Sequence, residues 1–215
     1  HAWGQTFHAV TSRDRDPHWW QVRLRGLLGS SIRIREWQEA DWGFHARHQT
    51  VGKTYSYDLG WGSDLPPMVR GLAPWWSRTP LDLELLAAGL TAYRRQTDWT
   101  SFTSEVSPAV QGLSGCWLVT SPDRARVIVQ GPGFAYQQVR RMACALCELS
   151  SGKRSWTQFQ TLLTAPRRNA QEQPAPPGGL MLVAVHYEPD ALGVLPSDAL
   201  LGWWRDPRQC EVRAL

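Results

Sequence analysis

Apolar and polar positions alternate in blocks along this chain. Residues 18–28, His-Trp-Trp-Gln-Val-Arg-Leu-Arg-Gly-Leu-Leu, carry apolar side chains at helical spacing and stop at Gly29, which predicts an amphipathic helix. Ile32-Arg-Ile-Arg-Glu-Trp37 has period two and predicts a strand with one wet face. A second strand is expected from Thr50 to Leu59, with Val51, Tyr55 and Tyr57 turned the same way. Gly60 to Pro67 reads as a loop and 74–80 as an irregular passage.

Leu81 to Arg94 then predicts a helix behind Pro80, with Asp82 and Glu84 in its first turn, where the helix dipole favours acids. Strand material around Val119 and from Val127 to Gln130 flanks the turn Ser121-Pro-Asp-Arg124. Phe134 to Ser150 and Trp156 to Thr164 read as helices, Ala165 to Gly179 as a Pro/Gln/Gly linker, and Leu180 to Tyr187 as the most hydrophobic strand. Helices and strands in this order give the α+β class with a largely antiparallel sheet.

The 215 residues are 42% hydrophobic and 20% charged, enough for a sizeable core, and the longest apolar run is far short of a membrane helix. The charge is +4, from 23 basic and 19 acidic residues, and all the basic residues but Lys53 and Lys153 are Arg. Between Arg124 and Arg168 eight basic residues face Glu148 alone, which predicts a polyanion-binding face; a solvated helix face is the alternative. Thirteen Trp residues, paired at Trp19-Trp20, Trp75-Trp76 and Trp203-Trp204, add stacking surface suited to RNA, although GC-rich codon usage produces the same bias.

No metal or cofactor is expected. Cys144 and Cys147 are spaced as C-x-x-C but sit within an apolar helix and have no second pair, and His45-x-x-His48 lacks an acidic or thiol companion. Walker, dinucleotide and G-x-S-x-G patterns are absent from the sequence.

Six short strings occur in one order: Phe44-His-Ala-Arg47; Lys53-x-Tyr55-x-Tyr57; Pro80-Leu-Asp82; Asp98-Trp-Thr-Ser-Phe102; Gly133-Phe-Ala-Tyr-Gln-Gln-Val-Arg-Arg-Met142; and Gly179-Leu-Met-Leu-Val-Ala-Val-His-Tyr187. Together they resemble the TruA-type tRNA pseudouridine synthases from His1 to about Tyr187. The resemblance implies a pseudouridine synthase fold, in which two related subdomains share a mainly antiparallel sheet with flanking helices. It divides the chain into 1–75, the rest of the N-terminal subdomain; 76–190, the C-terminal subdomain; and 191–215, an acidic tail. It also implies uridine isomerisation in tRNA, usually in the anticodon stem-loop, without a cofactor, in the bacterial cytosol or an organelle, commonly by a homodimer.

Carried over by position, the resemblance makes Tyr55 the tyrosine that stacks on the flipped uracil, Arg140 the partner of the catalytic carboxylate and Leu182 a wall of the uracil pocket. Arg47, Lys53 and Arg141 are candidate phosphate contacts. His1-Ala-Trp-Gly-Gln-Thr-Phe-His8 matches the end of the family's G-R-T-D-x-G-V-H-A-x-x-Q signature, whose nucleophilic Asp falls four residues ahead of His1. Asp14, Asp16 and Asp98 stand in unrelated strings. The expectation is a truncated synthase that is inactive as it stands and prone to self-association through an uncovered edge. A non-catalytic RNA-binding module of the same fold is the alternative, favoured by Arg25 and Gln111 at positions where the family has other residues; Gly29 and Gly112 also depart from the family's pattern. An unrelated α+β protein is a third reading.

Overall fold

A computed structural model describes residues 1–62, 75–104, 112–165, 172–200 and 210–215. Most of the Gly60–Pro67 loop, Gln111, Arg167 and Arg168 with part of the linker, and Trp203-Trp204 lie outside the described residues. Contacts divide the chain into two compact units, Thr6–Gln49 and the remainder, His1–Gln5 with Thr50–Leu215.

Among the described residues, the larger unit is built on six strands: β1 (Gly52–Trp61), β2 (Trp75–Ser77), β3 (Gly115–Ser121), β4 (Arg124–Gly131), β5 (Leu180–His186) and β6 (Glu211–Ala214). Their order is β2-β1-β4-β3-β6, and β5 also pairs with β1. One edge of β1 is therefore shared. Gly52–Tyr57 pairs with β5 and Leu59–Trp61 with β2. All pairings are antiparallel except β1 with β2.

Strand alternation sorts β1 into two faces. Tyr57 and Leu59 join the main core with residues of three helices, α2 (Leu83–Arg94), α3 (Gln138–Ser150) and α4 (Trp156–Thr164). The next residues along, Ser56 and Asp58, are buried and polar. A smaller cluster, Trp117, Val119, Ile128, Val183 and Ala199, packs separately from the main core. Asp58 and Arg126 are direct partners across β1 and β4 and form a buried bidentate ion pair, with Nε to Oδ1 2.6 Å and Nη2 to Oδ2 2.9 Å. Arg126 also donates to the Ala199 carbonyl at 2.9 Å. Helices α2 and α3 approach closely at Gly89, where an added Cβ would lie 2.5 Å from Leu146 Cδ2.

Several expectations need correction. Asp82 lies outside the helical turns as the N-cap of α2, accepting from Leu85 N at 2.9 Å. Helix α3 starts at Gln138, not Phe134, because Gln137 adopts the left-handed region at φ 59°, which a helix cannot contain. The passage expected to be irregular contains β2, and the end of the chain returns as β6 beside β3.

In the Thr6–Gln49 unit, α1 spans Pro17–Leu27 and is capped by Asp16, which accepts from His18 N and Trp19 N. Ile32–Trp37 is not a strand. Side chains of α1 take its carbonyls instead: Gln21 Nε2 donates to Arg35 O at 2.8 Å and Arg25 Nε to Ile34 O at 3.0 Å. Alternation marks an apolar side, but a strand also needs a backbone partner.

Candidate nucleotide site

Tyr55 and Leu182 are direct partners across β1 and β5, immediately after a break in register between Thr54 and Tyr55. The Tyr55 ring meets Phe134 edge-to-face, with centroids 5.3 Å apart and planes at 87°. Burial pushes the Tyr55 hydroxyl above its ordinary pKa, so at neutral pH it is a hydrogen-bond donor and not an anion. One half-buried aromatic face and a neighbouring aliphatic side chain can stack and enclose a planar base.

Two residues along β1 on the same face, the Tyr57 hydroxyl donates to the Pro176 carbonyl at 2.8 Å. Gly179 is required here: a Cβ would lie 2.8 Å from Tyr57 Cζ and 3.0 Å from the Asp58 carbonyl. Arg140, in the first turn of α3, donates from Nε to the Ala175 carbonyl at 2.7 Å, and Ala175 N donates back to Arg140 O at 3.1 Å. Tyr57 and Arg140 thus hold adjacent carbonyls of one segment. Burial raises the Tyr57 hydroxyl strongly, and the Arg140 charge partly opposes that rise. Among the described residues, neither Arg140 nor Lys53 has an ion-pair partner.

The turn leading into α3 is closed by Gln138, whose Oε1 accepts from Ala135 N at 2.8 Å while its own N–H donates to Ala135 O at 3.1 Å. That turn carries Phe134 to Tyr55. Phe134 and Gln138 were not singled out in the sequence, although both stand in the Gly133–Met142 string; an aromatic after Gly-Pro-Gly was the available signal.

Lys53 lies on β1 opposite Gly131 and Val185. Arg141 is buried and donates from Nη2 to Gln137 Oε1 at 3.3 Å, at odds with a surface phosphate contact. Arg47 is exposed in the Thr6–Gln49 unit. Among the described residues, the basic run does not form a single face. Arg126 is buried against Asp58, Arg124 pairs with Asp123, and Arg154 binds both Glu148 and Glu172. The Cys144 and Cys147 thiols are pushed up by burial, Cys144 to about 11, which keeps them protonated and poorly nucleophilic.

The first residues of the chain reach the same place. Ala2 bridges Leu182 in parallel, Trp3 N donates to Leu182 O at 2.8 Å, and Leu182 N donates to His1 O at 3.1 Å. Gly4 passes so close to the Val183 carbonyl that no side chain fits.

Comparison with known proteins places this geometry. A model of the tRNA pseudouridine synthase family matches residues 93–188. A tRNA pseudouridine synthase A of Staphylococcus epidermidis is 30% identical over 195 residues, covering 89% of this chain and 73% of that protein. The chain belongs to the tRNA pseudouridine synthase family. Proteins of the same name from Akkermansia muciniphila, 31% identical over 206 residues (90% and 77% coverage), and from a Geobacillus species, 30% over 191 residues (87% and 77%), agree. The six-stranded, mostly antiparallel sheet with flanking helices is the fold expected of a pseudouridine synthase.

Proposed function

We propose that this chain carries the uracil pocket of a tRNA pseudouridine synthase. Uridine's N1–C1′ bond is broken, the uracil turns, and C5 bonds to C1′; C5 loses a proton and N1 gains one, so the formula is unchanged. Tyr55 stacks on the extruded base, Leu182 walls it, and Lys53 and Arg47 contact phosphates. Arg141, being buried, supports the first turn of α3 and adds positive potential rather than a direct contact. Arg140 holds a nucleophilic carboxylate in its ionised form.

The observation that carries this reading is the Tyr55–Leu182 pair with the chain's first residues bonded to Leu182. Because the bridge is parallel, residues ahead of His1 would extend past Met181 and Leu180 toward Pro176 and Ala175, whose carbonyls Tyr57 and Arg140 hold. A carboxylate four residues ahead of His1 would thereby approach Arg140.

The family subdivision at 75 and 190, anticodon stem-loop uridines as targets, a homodimeric assembly and residence with tRNA in the bacterial cytosol or an organelle belong to the same proposal. Among the described residues no helix is long and apolar enough to cross a membrane. The test is tritium release from tRNA labelled at uridine C5, using protein expressed with whatever its gene encodes ahead of His1. Release with pseudouridine formed supports the proposal. Binding without release would instead make the chain a non-catalytic RNA-binding module.

A further inference from the structure

The most exposed large apolar residue of the described chain is Trp42, at 91%. It stands at the tip of a tight turn closed by Phe44 N donating to Asp41 O at 2.9 Å. Gly43, at φ 98°, takes the left-handed position that places Trp42 second in that turn. A second turn follows at once. The His45 carbonyl accepts from His48 N and Gln49 N, each at 3.1 Å, and His45 Nδ1 accepts from Arg47 N at 3.2 Å and His48 N at 3.3 Å.

The loop is held from outside as well. His8 Nδ1 accepts from Ala46 N at 3.3 Å, and the His8 ring meets Phe44 at 90°. The His8, His45 and His48 rings stand in series, with centroids 4.4 and 4.1 Å apart. Ala46 is buried while Trp42, Arg47 and His48 are exposed. A backbone fixed by this many bonds presents its outward side chains with little ordering entropy left to lose on binding.

We infer that Trp42 and Arg47 form an RNA contact, Trp42 stacking on an unpaired nucleobase and Arg47 holding a neighbouring phosphate. This rests on the reading of the chain as a tRNA-binding synthase. Two features favour RNA over a protein partner. Trp42 is flanked by Asp41, Gly43 and Phe44, with Arg47 and His48 just beyond, so it lacks the apolar, water-excluding surround of a protein hot spot. A nucleobase needs only a π-face with a cation nearby.

The experiment measures affinity for unmodified tRNA of the protein as encoded, of Trp42→Ala and Trp42→Phe, and of Trp19→Ala as a second exposed Trp of the same unit, with oligomeric state and thermal midpoint recorded for each. Trp42→Ala weakens tRNA binding roughly tenfold, Trp42→Phe retains most of it, and Trp19→Ala leaves it unchanged. Arg47→Ala reduces the slope of log affinity against log salt by about one. Unchanged binding by Trp42→Ala overturns the inference, as does a shift in its oligomeric state with tRNA affinity intact. Failure of the unsubstituted protein to bind tRNA would overturn the synthase reading itself.

Discussion

Leu182 sits directly across from Tyr55, and its own N–H and carbonyl are both bonded to the first residues of the chain. Its backbone is therefore pinned along that edge while its half-buried side chain lies opposite Tyr55. Leu182→Ala should lower kcat/KM for tRNA about tenfold through lost apolar contact, while Leu182→Met stays near wild type. Tyr55→Phe should keep tRNA affinity that Tyr55→Ala loses, since the stacking proposed for Tyr55 uses the ring and not the hydroxyl. Steady-state tritium release and tRNA binding check both.

Arg140 ties α3 to the segment before β5. Arg140→Ala should cost about 2 kcal/mol of stability, read from the urea midpoint, because a charge-assisted hydrogen bond to the Ala175 carbonyl is lost. Arg140→Lys should recover part of that stability without recovering activity, because an ammonium lacks the planar fork. Recovery of activity in proportion to stability would reduce Arg140 to a structural tie.

The Asp58–Arg126 pair is 4% and 1% exposed. Arg126→Ala strands a buried carboxylate and should cost roughly 3–5 kcal/mol. Replacing both residues with leucine should recover most of that loss. Denaturant titrations of the two single variants and the double variant form the cycle that tests it.

His186 is buried and shares a 2.7 Å contact between its Nε2 and Thr54 Oγ1, and burial lowers its pKa from the ordinary 6.5. The unfolded chain therefore takes up this proton first as pH falls. Stability is fully present above about 6.5 and declines as pH drops from there toward the folded-state value. His45, on the other unit, is lowered in the same direction by partial burial and its histidine neighbours, so its titration adds to the decline. His186→Gln should remove the His186 share, seen as a smaller drop in urea midpoint between pH 7.5 and 5.5 than in wild type, as about 2 pH units span the transition.

Helices α1, α2 and α4 were legible from apolar spacing, whereas their caps, Asp16, Asp82 and the Ser155–Gln158 capping box, emerge only from the fold. Strands β1, β3, β4 and β5 were legible too, the first from its alternation and the others from apolar runs beside turn or linker residues. Tyr55 and Leu182 could be named from the strings, but their adjacency could not, because register across β1 and β5 depends on residues far apart in the chain. Ile32–Trp37 misled because periodicity reports a face and not a partner. Strand β6 was hidden because Glu211 and Arg213 give a short, charged edge no apolar signal. The basic run misled because arginines adjacent in sequence are divided between a buried ion pair and carboxylate networks.

The shared edge of β1 also orders events in time. The β3–β4 hairpin closes locally, whereas Tyr55 must wait for Val129 on one side and Leu182 on the other, both synthesised long after it. The pocket strand is thus completed only when the far end of the sheet arrives. A nascent or clipped chain would display helices and a hairpin before it could hold a base, so competence to bind reports that the whole sheet has closed.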